Sequence, residues 1–420
     1  MCIESWNKSF HHKVLSYKKE FNKLVRKKYR QFRHKMLKQI VDSNENSPDE
    51  FWRNIKKLKK ENHKDPSSNI QSIEWFDYFN KLMNVDYDKK TLSERLAFVD
   101  LKECSNAILN NTITAEEVTL VVKSLKNNKA CGSDGITNEM LKIACVVNID
   151  VLVKLFNLIF KSGVYPSFWR ENCIKPIFKG GCCNDPLNYR GIALSSCLSK
   201  FFLRILHNRL EKYLELNNVI CHKQIGFRKG NRTSDHILTL KTIIYKAFKS
   251  PKRIYACFID FRKAFDTINR EALFFYKLLN YNINGPYFNI MNDMYTEVLF
   301  SVKLGKGITD FFHSKVGVKQ GLIFTSTLFS LYINDLPLIL DDNCDPTQLS
   351  DNNISCLLYA DDLILISESS CGLQRCLHKL SLNCNSWDLT VNFDKSKVMI
   401  FNKSGRKINQ NKFIFNNSAL

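Results

Sequence analysis

Two apolar runs meet at a pair of adjacent aspartates in SCLLYADDLILIS, residues 355–367. The flanks are too apolar for a solvated loop. They read as two strands of a hairpin buried in a sheet, with Asp361 and Asp362 at its tip. Side chains alternate along a strand, but a tight turn can send successive carboxylates to one side. Like charges held that close repel each other, so the pair calls for a cation. In isolation the same pattern also fits an Asp-rich hairpin turn.

A second acid strengthens the reading. In IYACFIDFRKAFDTINREAL a β-branched and aromatic run delivers Asp260 at its end, and a helical pattern begins a few residues later. A third segment, VGVKQGLIFTSTLFSLYINDL, holds Gly317 and Gly321 for close backbone approach, Gln320 with its two-way amide, and a helical pattern from Thr327. Carboxylates on two strands of one sheet can hold a pair of Mg²⁺ ions, the arrangement that in-line phosphoryl displacement uses. Mg²⁺ needs few protein ligands when substrate phosphates complete its shell. The chain is strongly basic, with 62 Lys and Arg against 41 Asp and Glu, a net charge of +21 and a pI near 9.3. A surplus of that size points to a polyanionic partner, nucleic acid before an acidic membrane surface.

Much of the excess lies at the start, where residues 1–64 hold 18 Lys and Arg against 7 Asp and Glu. Val14, Tyr17, Phe21, Val25, Tyr29, Phe32, Met36 and Ile40 recur at gaps of three and four, one stripe of a long helix. DSNENSPDE supplies cap and turn residues, and a second basic helix, FWRNIKKLKKENHK, follows. This hairpin reads either as a basic arm along a phosphate backbone or as ordinary solvated helix faces. KDPSSN reads as a linker, residues 70–100 as weakly patterned helix, and Thr114 with Glu117 as a capping box. Short β-rich runs alternate with helical patterns from residue 170 onward, a mixed α+β layout.

No run of 18 apolar residues occurs, since Asp150 and Lys154 interrupt Val146–Phe160, so no membrane span or membrane partner is expected. The N-terminus lacks an apolar core and cleavage site, which predicts an intracellular protein, nuclear or cytoplasmic, that is not secreted. The 15 cysteines show no C-x-x-C spacing and read as reduced thiols rather than a zinc site.

YADD, with FIDFRKAFD upstream and GVKQG between, resembles the reverse transcriptases of non-LTR (LINE-type, jockey-like) retrotransposons. PIFKGG, NYRGIALSSCLSK, HKQIGFRKGNRTSDHI, NNKACGSDGITNEMLK and WDLTVNFDKSKVMIF, with its N-x-x-K-[ST]-K signature, resemble further ordered motifs of that group. The likeness covers about residues 115–420 and implies the fingers and palm of a right-hand polymerase, an α+β fold, preceded by basic helices. The divisions expected are a basic helical arm at 1–64, a connector at 65–113, an N-terminal extension to the fingers at 114–170, and fingers and palm at 171–420.

The resemblance implies an RNA-directed DNA polymerase that joins dNTPs to a primer 3′-OH with two Mg²⁺ ions, Mn²⁺ serving as a substitute. Its partners would be an RNA template and a DNA primer or target; the oligomeric state is left open. Asp260 and Asp361 become metal ligands with Asp362 beside them, and Phe265 a steric gate against a 2′-OH. Gln320 and Gly321 become contacts to the template and nascent pair, Arg190 and Arg228 phosphate clamps, and Lys395 a proton donor to pyrophosphate or a structural residue. Two departures stand out. Ser326 occupies the usual Pro position after Gln320–Gly321, which predicts a loosened helix entry. The chain also ends at FIFNNSAL, where a primer grip and thumb would begin, so the thumb is expected to be absent. These departures suggest a partial or decayed copy. The alternatives are a silent nucleic-acid-binding remnant and an intron maturase-like reverse transcriptase.

Overall fold

The computed structural model describes residues 2–58, 65–85, 106–249, 252–305, 307–341, 344–349, 351–403, 413–416 and 418–419. The chain divides into two compact units, Met1–Asp65 and Pro66–Leu420. In the first, helix α1 (Cys2–Asn46) carries the striped segment and α2 (Pro48–Leu58) follows. DSNENSPDE is less of a turn than its composition suggests, because the helix runs through Asp42–Asn46 and only Ser47 separates the two helices. Its N–H bonds Ser43 O at 3.0 Å, and Pro48 opens α2 at a position where a missing N–H costs nothing. Along the stripe Tyr17, Phe21, Val25, Tyr29 and Phe32 are exposed while Met36 is buried. The side chain of Val14 and residues 59–64 lie outside the described residues, as does 86–105 of the expected connector.

The larger unit begins where a linker was expected. Pro66–Asn69 instead forms a 3₁₀ turn whose Ser67 carbonyl accepts the indole N–H of the fully buried Trp75 at 3.1 Å. Trp75 belongs to α3 (Ser72–Met83), followed by α4 (Ala107–Asn110), α5 (Ala115–Ser124) and α6 (Asn138–Ser162). The capping box forms as expected: Thr114 Oγ1 accepts from Glu117 N–H at 3.3 Å and Glu117 Oε2 from Thr114 N–H at 3.0 Å. Glu117 also meets the buried Arg209, 2.6 Å away, which ties α5 to α7 (Cys197–Leu216).

Helix α6 bears on the membrane expectation. By length and composition it alone among the described helices is long and apolar enough to cross a membrane. It is also kinked at Asn148 (φ −160°, ψ 93°), whose side chain accepts from Asp150 N–H at 3.2 Å and restarts the helix as a cap would. One face packs Leu141, Leu152, Phe156, Ile159 and Phe160 into the core, while Val146 and Val147 stay exposed.

Two sheets follow. One takes β1 (Glu171–Phe178), β2 (Tyr189–Leu194), β4 (Val298–Leu304) and β5 (Gly307–Ile308) in the order β2-β1-β4-β5, with β6 (Phe312–Ser314) also paired to β4. The other is antiparallel and has the order β11-β3-β10-β9, from β3 (Ile254–Ile259), β9 (Cys356–Tyr359), β10 (Asp362–Ser367) and β11 (Lys397–Phe401). β3 is covered on both faces, so nearly every position along it is buried. On one side α8 (Thr233–Lys249) sets Ile243 and Ala247 against Ile254, Leu357 and Ile366. On the other, Leu373, Cys376, Leu377 and Leu380 of α12 (Ser370–Ser386) join Cys257 and Leu365 in the main core. Three further helices complete that core: α9 (Gly285–Tyr295), α10 (Phe324–Tyr332) and α11 (Leu336–Asp341). The buried Phe324, Leu328, Phe329 and Leu331 of α10 contribute about 1.5–3 kcal/mol apiece relative to exposure. The cysteines are not all reduced: Cys344 and Cys376 are joined, their Cα atoms 5.4 Å apart and both side chains fully buried. A separation of 32 residues with no motif left no trace of that pairing in the sequence.

Candidate active site

The sheet brings the three aspartates to one edge. Asp260 follows the last residue of β3, and the register pairs Ile259 with Leu363, so Asp362 at the head of β10 stands beside it. Asp361 lies in the two-residue turn between β9 and β10. The charges feel one another. Burial holds the Asp361 carboxyl above its usual range, with Asp362 and Asp260 adding to the rise and Arg190 opposing it. Burial and the Asp260 charge raise Asp362 as well.

Asp260 is held by neutral groups, and no salt bridge to it occurs among the described residues. Its N–H donates to Ser396 Oγ at 3.1 Å, its carbonyl accepts Asn392 N–H at 2.8 Å, and its Oδ2 accepts Asn392 Nδ2 at 2.9 Å. The N-x-x-K-[ST]-K turn is therefore the cradle of the first acid, and it leaves the charge of Asp260 available. Ser396 is fully buried, so the cradle has little room to shift. Asn392 and Ser396 were quoted in the motif without a role; two small polar residues beside a strand end are the only sign that would have marked them.

Cations gather near the same acids. Lys179, just after β1, has its ammonium pK lowered by burial first and then by the charges of Arg190 and Lys395, while Asp266 and Asp260 oppose the fall. Arg190, in β2 opposite Ile177, and Lys395 are both exposed. Lys263 bonds the hydroxyl of Tyr78 and lies 4.4 Å from the centre of its ring. Lys179 and Lys263 sit inside quoted motifs and had not been singled out.

The loop Gly317–Gly321 is fastened to the segment after Asp260. Val318 N–H donates to Phe265 O and Gly317 N–H to Ile268 O, each at 2.8 Å. Gln320 Nε2 donates to Asp266 Oδ1 at 2.7 Å, and the Gln320 carbonyl accepts Ala193 N–H at 2.7 Å. Burial pushes the Asp266 carboxyl up to about 6, against the pull of Gln320, Lys263, Lys179 and Arg190. Gly321 (φ +109°) passes so near β2 that a Cβ there would lie 2.9 Å from Ala193 O. Ser326 does not delay the helix: α10 starts at Phe324, three residues before the expected Thr327, and Thr325 Oγ1 closes the loop on Lys319 O at 2.5 Å. Phe265 is half-buried with its ring 4.7 Å from that of Phe329. Arg228 is engaged elsewhere, forked onto Glu215 at 3.0 and 2.8 Å beside a cavity of about 380 Å³.

The donor set fits hard divalent cations: oxygen ligands only, mutually repelling, on rigid strand ends. Among the described residues no group of three or more His, Cys, Asp or Glu side chains is placed to hold a metal ion.

The reverse transcriptase (RNA-dependent DNA polymerase) family profile matches residues 177–414. The probable RNA-directed DNA polymerase from transposon BS of Drosophila melanogaster is 30% identical over 292 residues, 68% of this chain and 32% of that protein. The probable RNA-directed DNA polymerase from transposon X-element of the same fly is 27% identical over 292 residues, 68% and 31% of the two chains. The RNA-directed DNA polymerase from mobile element jockey of Drosophila funebris is 26% identical over 309 residues, 71% and 33%. The chain spans about a third of the length of these curated relatives.

Proposed function

The chain belongs to the reverse transcriptase family, on the non-LTR retrotransposon side of it, and from that premise we propose that it copies RNA into DNA by adding deoxynucleotides to a primer 3′-OH. We read the sheet β11-β3-β10-β9 as the palm, and β1–β2, with Lys179 and Arg190, as part of the fingers. The observation that carries the reading is the meeting of Asp260, Asp361 and Asp362 at one sheet edge, within the field of Lys179 and Arg190.

The reaction forms a bond from the primer O3′ to the α-phosphorus and breaks the bond from that phosphorus to the pyrophosphate oxygen, in line. Asp260 and Asp361, with Asp362 beside them, would hold two Mg²⁺ ions, which supply charge neutralisation and a more acidic 3′-hydroxyl when bound. Asn392 and Ser396 keep Asp260 aimed through neutral hydrogen bonds, so its charge is not quenched before substrate arrives. Lys179, Arg190 and Lys395 would receive the triphosphate as point charges and a fork. Phe265, its backbone fixed by Val318, would lie under the incoming sugar.

Primer extension on an RNA template with Mg²⁺, comparing the parent with Asp361→Asn/Asp362→Asn, tests this directly. Extension should fall by on the order of 10³-fold or more, several kcal/mol of transition-state stabilisation, while RNA binding through Lys and Arg is kept. Equal extension by both proteins would remove the acids from the reaction. RNA binding without extension by the parent would favour a silent remnant.

A further inference from the structure

The turn carrying the two aspartates is built on an unfavourable conformation. Ala360, between Tyr359 and Asp361, has φ +56°, a left-handed backbone that penalises any residue with a Cβ and that two-residue hairpins usually assign to glycine. The ladder pairs Tyr359 with Asp362 and leaves Ala360 outside it. One side chain serves the two peptide groups on either side of the Ala360 Cα. Gln224 Oε1 accepts Ala360 N–H at 2.9 Å, and Gln224 Nε2 donates to Ala360 O at 3.2 Å. The same oxygen accepts Gly226 N–H at 3.0 Å, and Gln224 is only 1% exposed. Backbone bonds fix the brace to β9: Ile225 N–H to Leu358 O at 3.1 Å and Leu358 N–H to Lys223 O at 3.2 Å. Gly226 presses on the same place, since a Cβ there would lie 2.3 Å from Ala360 N.

We infer that Gln224 is a positioning residue for the acidic turn: its amide bridges the N–H and the carbonyl of Ala360, the two peptide groups that flank its Cα, holds that residue in the left-handed state, and so sets the direction in which Asp361 and Asp362 leave the hairpin. Only a primary amide on a two-methylene stem both accepts from the N–H and donates to the carbonyl of one residue from this position. Glutamate keeps the acceptor alone, methionine keeps the shape alone, and asparagine is one carbon short. The kinetic part of the inference rests on the polymerase reading; the clamp itself does not.

The test uses the full chain as the parent, Gln224→Met, Ala360→Gly and the double variant. Single-nucleotide addition at saturating dNTP, Mn²⁺ affinity and hydrogen exchange at the residue-360 amide are measured on each. Gln224→Met should slow addition by about 100-fold, the scale of an ångström's misplacement, with primer–template affinity unchanged. It should also weaken Mn²⁺ binding and release the protected amide. Ala360→Gly should restore at least about ten-fold of the lost rate in the Gln224→Met background, because glycine takes positive φ unaided. The amide should stay unprotected in that double variant. A purely structural glutamine would show no such rescue, since glycine supplies no missing hydrogen bond. Undiminished Mn²⁺ affinity and amide protection in Gln224→Met, or a double variant no better than Gln224→Met, would overturn the inference. An inactive parent that shows the Gln224-dependent protection and Mn²⁺ binding would count against the polymerase reading and in favour of the clamp.

Discussion

The acid-bearing strand ends and the Gly317–Gly321 loop handle charge in opposite ways. At the strand ends the charges stand at a partly open edge, and neutral groups hold their backbones: Asn392 and Ser396 for Asp260, Gln224 for the turn before Asp361. In the loop, Lys319 is 2% exposed, and its Nζ has no hydrogen-bond partner among the described residues. The rings of Tyr295 and Tyr165 lie 5.7 and 5.8 Å from it. The edge sets its acids where solvent reaches them, whereas the loop buries a cation that no described residue hydrogen-bonds. An unpaired ion in a dry site neutralises instead of paying for its desolvation. Burial, followed by the charges of Arg270 and Arg170, accordingly lowers the Lys319 ammonium to about 7.

The largest expected effect probes that difference directly. Lys319→Met keeps the volume and removes the charge, so it should stabilise the protein at pH 7. The gain is on the order of several kcal/mol, from roughly 1.4 kcal/mol for each unit of pK displacement. The sign follows from proton counts. Between about 7 and the ordinary lysine value of 10.5 the unfolded chain holds a proton that the folded chain has lost. Parental stability therefore rises with pH across that window, and the rise is lost as pH falls toward 7. Denaturant melts of parent and variant at pH 7 and pH 10 check it: the gap between them should narrow at the higher pH. A constant gap would mean that Lys319 has found an anionic partner.

A smaller effect tests whether the loop's backbone is as firmly placed as the acids. Gly317 has φ +78°, and a Cβ there would fall 2.4 Å from Asp266 O. Gly317→Ala combines a disfavoured backbone with a clash against a main chain that cannot rotate away. A loss of about 2–4 kcal/mol in stability is expected. Gly305→Ala, where a Cβ meets nothing within 4 Å, is the control and should melt within about 0.5 kcal/mol of the parent. Equal melting of the two variants would show that the loop yields.

How much of this was legible in sequence follows the same divide. The hairpin acids and Asp260 were readable because apolar runs around a carboxylate leave few alternatives, and hydrophobic alternation fixes a strand's faces. The partners of those acids were not readable. Asn392 meets Asp260 across 132 residues and Gln224 meets Ala360 across 136, and a polar residue does not reveal which distant peptide it will serve. Lys319 went unremarked for a related reason: in a loop of glycines a lysine reads as solvated, and it is the fold that sets it among Tyr165, Tyr295, Arg170 and Arg270. Ser326 erred the other way. Losing a proline suggested a loosened helix start, but Thr325 and the apolar face of α10 fix that start without it.

The smallest expected effect lies where the two regions meet. Phe265 follows Asp260 by five residues, gives its carbonyl to Val318 of the loop, and sets its ring 4.7 Å from Phe329. If it lies under the incoming sugar, Phe265→Val should admit a 2′-OH and lower the preference for deoxyribonucleotides over ribonucleotides by about ten-fold, near 1.4 kcal/mol. The same change removes a ring from the contact with Phe329 and should cost about 1–3 kcal/mol in stability. The two consequences separate in one experiment. Incorporation of each nucleotide class is measured on a single template position, and the ratio is compared with that of Phe329→Leu. Both variants disturb the ring pair, but only Phe265→Val opens the space beside the sugar. A shifted ratio in Phe265→Val alone assigns the residue to the acid-bearing edge. Equal ratios in both variants would assign it to the core beneath the loop.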